Sequence, residues 1–319
     1  MKKFILPLFA VLLSACGSNQ HNIPTVGFVD AFEDATISRA RDGFTDALKK
    51  NGFSEDQKAI KIIYRNAQGD IPTLTQIANY FVSEKTDLIA TSTTLSTISV
   101  VQKTKTIPIF MMVSPTAALM KLIDKDGRPP VNLFGVEEDL AYIDTSFSII
   151  PKLVSTKGKV LTVGMIYNQS EPQSVDAMNR IKGLAAKLGV NLETLPLNTS
   201  ADAQLITKSL LNRNIDAFFA NPDNTVFASF ETILKSCNEK NIPIFTSEAG
   251  LVERGAVAAF GADIYQWGYQ AGEQAVQYLK TKKTAGLKTE MVKVRKRVYN
   301  SEAAKKFNIS IPSNFEAVK

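Results

Sequence analysis

Short apolar runs that end in a polar turn, each followed by apolar residues at helical spacing, recur along this chain. The repeat is about thirty residues, and such alternation restricts the chain to an α/β fold with parallel sheets and right-handed crossovers. Residues 23–29, 59–64, 87–90 and 107–113 read as strands, with helices at 37–50, 71–83 and 94–104 between and after them. A brief strand at 132–136 and a helix at 140–153 follow. Residues 160–167, Val-Leu-Thr-Val-Gly-Met-Ile-Tyr, then restart the rhythm: strands at 190–195, 217–220, 242–246 and 256–260 accompany helices at 174–188, 201–212 and 226–240. A chain of 319 residues exceeds what one hydrophobic core usually serves. With the break at 134–139, this predicts two similar Rossmann-like lobes. The tail adds a helix at 265–279 and a strand-like run at 291–298, each too little for a domain and each needing a sheet to pack on. The economical topology joins the lobes by three hinge crossings, near residues 136, 262 and 287. Residues 23–136 plus 263–286 then make the N-terminal lobe, and 137–262 plus 287–319 the C-terminal lobe.

The N-terminus has a different character. Lys2 and Lys3 precede an unbroken apolar run at 4–13, then Leu13-Ser14-Ala15-Cys16, the layout of a secretory signal peptide over residues 1–15, too short to span a bilayer. Leu-Ser-Ala-Cys also resembles the bacterial lipobox. That resemblance implies that Cys16 is lipidated, becomes the first mature residue, and tethers the protein to a membrane on the periplasmic or extracellular side of a bacterium. Residues 16–22 are a polar leash. A lipidated Cys16 leaves Cys237 without a disulfide partner, as a packing residue on a helix.

Much chemistry is excluded by what the chain lacks. His21, in the leash, is the only histidine, which removes His triads and His metal sites. There is no Gly-x-Gly-x-x-Gly after a strand, no Walker A run, no Cys-x-x-Cys and no Gly-x-Ser-x-Gly elbow. No cofactor or metal is expected. The formal charge of +6 comes partly from Lys293, Arg295, Lys296 and Arg297. Without interleaved aromatics or a recognition helix, these read as a solvated strand face and not a nucleic-acid site.

What remains is a set of loops at strand ends, where open α/β sheets bind small ligands. Residues 217–220 are apolar and aromatic; Asn221-Pro222 stops the strand, and Asp223-Asn224-Thr225 follows at its carboxyl end. Asp223 and Asn224 either cap the next helix or face a ligand. The corresponding loops elsewhere contribute Phe32, Glu33 and Asp34, then Thr93, Ser114, Tyr167, Glu171, Gln173, Ser174 and Ser247. Together they suit a small polar or zwitterionic molecule with an apolar body. In one assignment Asp223 receives an ammonium while the helix start at Ser174 receives a carboxylate. In the other, Ser174 and Thr94 are N-caps and Glu33 and Glu171 are solvated loop charges.

Several stretches carry a family resemblance: Phe32-Glu33-Asp34 through Gly43-Phe44, Asn66-Ala67-Gln68-Gly69, Asp87-Leu88-Ile89-Ala90, Ile107-Pro108-Ile109-Phe110 and Asn132-Leu133-Phe134-Gly135-Val136. In the second lobe they are Val163-Gly164-Met165-Ile166-Tyr167-Asn168, Ser170-Glu171, Asp223-Asn224-Thr225, Ile242-Pro243-Ile244-Phe245 and Ile264-Tyr265 to Gly268. From Thr25 to Ile311 the chain resembles the ABC-transporter substrate-binding lipoproteins of the tryptophan/tyrosine-binding type, with the periplasmic binding protein type I fold. The resemblance implies a monomeric, non-enzymatic receptor that closes two lobes on an amino acid, aromatic in this family, and presents it to an ABC permease and its ATPase. Three crevice loops depart from the family: Glu33-Asp34 stands for Glu-His, Ser114-Pro115 for Asp-Pro, and Glu171-Pro172-Gln173-Ser174 for Glu-x-Asn-Ser. Two other classes fit a lipid-anchored chain of this shape, a ligand sensor read by a membrane sensor kinase and an anchored hydrolase. The signal peptide and the lack of N-terminal DNA-binding helices exclude a transcriptional regulator.

Overall fold

The computed structural model of the chain describes residues 23–156 and 158–318. The signal and lipidation readings, Cys16 included, lie outside the described residues. Strands β1 (Thr25–Asp30), β2 (Lys61–Asn66), β3 (Leu88–Ser92), β4 (Ile109–Pro115) and β5 (Leu133–Glu138) begin the first lobe. The second lobe holds β6 (Thr162–Tyr167), β7 (Asn191–Pro196), β8 (Ala217–Ala220), β9 (Ile244–Thr246) and β10 (Ala258–Ala262). The tail adds β11 (Thr289–Met291), β12 (Arg295–Asn300) and β13 (Glu316–Val318). The first sheet runs β2-β1-β3-β4-β5-β11, and the second β7-β6-β8-β9-β10-β12-β13.

Strands β1–β5 of the first sheet each separate two cores, as period-two alternation requires of a sheet covered on both faces. In β1, Phe28 packs under helices Ala35–Lys50 and Ile264–Thr281, while the next residue, Val29, packs under Ile71–Ser83 and Thr93–Lys103. Helices Ala35–Lys50 and Ile264–Thr281 approach backbone to backbone. A Cβ on Gly268 would lie 1.8 Å from the Ala40 carbonyl oxygen, and one on Gly43 would lie 2.1 Å from that of Tyr265.

Two expectations need correction. The run at 291–298 is not one strand: β11 pairs in parallel with β5 of the first sheet, and β12 pairs antiparallel with β10 of the second. Residues 287–291 therefore belong to the first lobe, the third crossing falls at 292–294 instead of near 287, and the second sheet is mixed. The cause is local. Val292 is buried in the first lobe's core and its N–H bonds to the Glu137 carbonyl at 3.0 Å, so the chain stays there one turn longer.

The three crossings lie side by side and are bonded to one another. The Asp263 N–H donates to the Val294 carbonyl at 3.0 Å, Trp267 Nε1 donates to the Val136 carbonyl at 2.8 Å, and Arg295 pairs with Glu138 at 2.7 Å. Away from this hinge the lobes meet directly. Arg254 of the second lobe pairs with Asp34 of the first at 2.7 Å and bonds Thr36 Oγ1 at 3.1 Å. Ile37 inserts into the second lobe's core, and Gly250 lies against the Thr36 side chain.

Candidate functional site

Between the lobes is a cleft lined from both sides. The first lobe contributes Thr93, Thr94, Val113, Ser114 and Pro115; the second contributes Tyr142, Gln173, Pro222, Asp223, Asn224, Phe227 and Glu248. Its floor is the hinge itself: Glu138, Asp139 and Leu140 of the first crossing, and Trp267 just past the second. Parallel strands explain the convergence, because β3, β4, β5 and β8 all release the chain at the same edge.

The backbone is strained on the first-lobe side. Thr93, at the junction of β3 with helix Thr93–Lys103, has φ +70°, and Val113, at a bulge in β4, has φ +51°. β-Branched residues rarely enter this region, at a cost of order 1–3 kcal/mol each, and such strain collects at functional sites. Behind them a buried hydroxyl chain links Thr91, Thr97 and Ser114 at 2.9 and 3.1 Å.

The second-lobe side is a carboxylate network. Asp223 caps helix Asn224–Ala228 through Oδ1, which accepts from the Val226 N–H at 2.9 Å. Its Oδ2 accepts from the Asn168 N–H at 2.6 Å and from the Ser174 hydroxyl. Glu171 accepts from Gln173 Nε2 at 2.7 Å and Asn224 Nδ2 at 2.8 Å. Burial pushes the Glu171 carboxyl up to about 8, and the charge on Asp223 adds to the rise; Asp223 is itself raised by burial. In the same lobe, Tyr142 Oη donates to Glu248 Oε1 at 3.0 Å, and burial pushes Glu248 up to about 8. Burial also raises Glu138, against the pull of Arg295.

These shifts set the pH dependence of stability. A carboxyl raised in the folded state keeps its proton while the unfolded chain has lost it, so stability falls as pH rises between the two values. For Glu171 and Glu248 the window runs from 4.5 to about 8. The ligand-free protein is expected to melt at a higher temperature at pH 5 than at pH 8; a melting temperature that rises across this interval would contradict the protonated network.

Of the residues singled out in the sequence, Thr93, Ser114, Gln173, Asp223 and Asn224 line the cleft. The others do not. Phe32 packs on the first lobe's core beside Gly69, and Glu33 is exposed, accepting from Tyr64 Oη at 2.8 Å. Asp34 caps helix Ala35–Lys50 and holds Arg254. Tyr167 sits in the β6–β7 pairing, and Glu171, Ser174 and Ser247 are fully buried behind the lining. The helix start at Ser174 is not free for a carboxylate: Pro172 has no N–H, and the Ser174 N–H already bonds the Glu171 carbonyl at 3.0 Å. Glu138, Tyr142 and Trp267 line the cleft without standing among the strand-end candidates, although Glu138 ends β5; Glu248 belongs to the Ser247-Glu248 loop after β9, which is among them.

Some of the buried polar atoms without a partner lie on the cleft lining. Buried polar groups are nearly always hydrogen-bonded. Among the described residues, Thr93 Oγ1, Glu138 Oε2, Gln173 Oε1 and Glu248 Oε2 are buried without a partner, and all four residues line the cleft.

Comparison with known proteins agrees with this architecture. The family model described as "ABC transporter substrate binding protein" matches residues 25–318. A tyrosine-binding protein of Clostridioides difficile is 32% identical over 283 residues, covering 88% of this chain and 79% of that protein. A Streptococcus pneumoniae domain solved in complex with L-Trp superposes with a TM-score of 0.81 at 25% identity, covering 91% of this chain and 96% of that one. A Clostridium difficile substrate-binding protein in its ligand-free, open form gives 0.66 at 29% identity, covering 93% and 99%. The chain thus superposes better on the L-Trp complex than on the open, ligand-free structure.

Proposed function

The chain belongs to the family of ABC transporter substrate-binding proteins, which are not enzymes, and on that premise we propose that it binds a free aromatic amino acid between its lobes. The observation that carries this reading is the set of unpaired polar atoms in a cleft with an aromatic wall. The ligand's carboxylate goes to the start of helix Thr93–Lys103. Its N-cap, Ser92, makes no side-chain capping bond, and the hydroxyls of Thr93 and Ser96 in the first turn are unpaired; N–H groups at a helix start favour an anion. The ring lies among Leu140, Tyr142, Phe227 and Trp267. The ligands of two relatives, tyrosine and L-Trp, support an aromatic side chain. In this proposal Cys16 carries a lipid that holds the receptor at the outer face of a bacterial membrane, where it feeds the permease and ATPase of an importer.

Calorimetry with tryptophan, tyrosine, leucine and lysine tests the ligand class. Tryptophan or tyrosine is expected to bind, and at 100 times its dissociation constant to add about 2.7 kcal/mol to stability. Binding of leucine or lysine alone would reject an aromatic ligand. Fatty-acid labelling of the parent and of Cys16→Ala tests the tether, with label expected only on the parent.

A further inference from the structure

We propose that the ligand's ammonium group is received by Glu138 and Glu248, which both line the cleft, with the Gln173 side-chain oxygen as the third acceptor. This rests on the amino-acid reading of the cleft and specifies which side chains recognise the α-amino group.

The choice follows from which acceptors are occupied. Asp223, the obvious acidic residue from its place at a strand end, already accepts from the Val226 N–H, the Asn168 N–H and the Ser174 hydroxyl. Both oxygens of Glu171 are likewise taken, and the residue lies behind the lining. Asp139 is exposed and accepts from the Ala141 N–H at 2.7 Å. Glu138 and Glu248 differ: each uses one oxygen structurally, Glu138 toward Arg295 and Glu248 toward Tyr142 and Ser247, and leaves Oε2 buried and unpaired. They are 2% and 3% exposed.

Gln173 completes the count. Its Nε2 is fixed by donating to Glu171, which leaves Oε1 as the unpaired atom. Three buried oxygens without partners then line one cleft, and a primary ammonium brings three N–H groups and a positive charge that opposes the rise burial gives the two carboxyls, favouring their ionised, accepting form when the ligand is bound. The two carboxyls already sense each other, since the charge on Glu138 helps raise Glu248. Glu138 also ties occupancy to movement, because its other oxygen holds Arg295 at the third crossing.

The test compares tryptophan with indole-3-propionate, which keeps the ring and carboxylate but lacks the ammonium, on the parent, Glu138→Gln and Glu248→Gln, with thermal melts as a folding control. The parent is expected to prefer tryptophan by roughly tenfold or more, and each variant to lose most of that preference through weaker tryptophan binding. A parent that binds both compounds equally overturns the proposal with no variant needed, so misfolded variants do not shelter it. Variants that keep the parent's preference overturn it and return the ammonium to Asp223. A parent that binds no amino acid overturns the reading of the cleft, and this proposal with it.

Discussion

Arg254→Met is expected to open the protein. Asp34 has a side chain only 1% exposed, beneath the lobe interface. Its Oδ1 caps the Ala35–Lys50 helix, accepting from the N–H groups of Thr36 and Ile37 at 2.9 and 3.0 Å, and its Oδ2 is held by Arg254. The guanidinium reaches further, to Thr36 Oγ1, the Phe227 carbonyl and Glu231, so it joins the first lobe to the wall of the cleft. Removing one member of a buried ion pair costs about 3–5 kcal/mol, because the other is left uncompensated. Here the molecule has a way to relieve that cost: separating the lobes returns Asp34 to water. The closed state should therefore lose two to three orders of magnitude in relative population, at about 1.4 kcal/mol per factor of ten. Apparent ligand affinity falls by the fraction of competent molecules lost. Methionine preserves the packing of the stem over Phe230, where the guanidinium now sits 5.1 Å from the ring centre. Solution scattering should show a larger radius of gyration for ligand-free Arg254→Met than for the parent, and identical curves would mean that the hinge alone sets the closed form.

Gly268→Ala is expected to destabilise the fold strongly, against its helix propensity. Alanine in place of a helical glycine ordinarily stabilises by about 1 kcal/mol. At this position the added Cβ would sit 1.8 Å from the Ala40 carbonyl oxygen and 2.6 Å from its Cα. Those are backbone atoms of a second helix, so no rotamer change accommodates them, and the two helices must move apart along the contact that also includes Gly43 and Gly272. Overpacking of this kind typically costs 1–3 kcal/mol and occasionally more, and backbone displacement puts this case at about 3 kcal/mol or above. Gly183→Ala is the control. It lies on the exposed face of helix Pro172–Leu188 with nothing within 4 Å of an added Cβ, and it should melt slightly higher than the parent. A Gly268→Ala protein that also melted higher would show that the helices are not in backbone contact.

The lobes were legible because their signal is local. The alternation of apolar runs and amphipathic helices is written within each thirty-residue unit, and runs such as Ala217–Ala220 can only be strands buried on both faces. The tail was harder, since 291–298 is uniformly strand-like and nothing in it says that one end pairs with β5 and the other with β10. The site was legible by halves. Strand ends pointed to Thr93, Ser114, Gln173, Asp223 and Asn224, which share the cleft lining. Asp34 was read with them because its position resembles theirs, but its partner is Arg254, 220 residues away. Glu138 and Trp267 were passed over because a chain crossing between lobes reads as a connector, although here the connector is the floor. Neither pairing leaves a trace in short-range spacing.

The pairing of β11 with β5 also sets an order on how the molecule can be completed. A lobe encoded at the start of a chain ordinarily folds first as the chain is synthesised. This one cannot finish that way. Its outermost strand is residues 289–291, and the helix that covers Phe28 and Phe44 is Ile264–Thr281, so both arrive only after β6–β10 of the second lobe have been made. The early lobe waits with one sheet edge open and one core uncovered until residues 264–291 leave the ribosome.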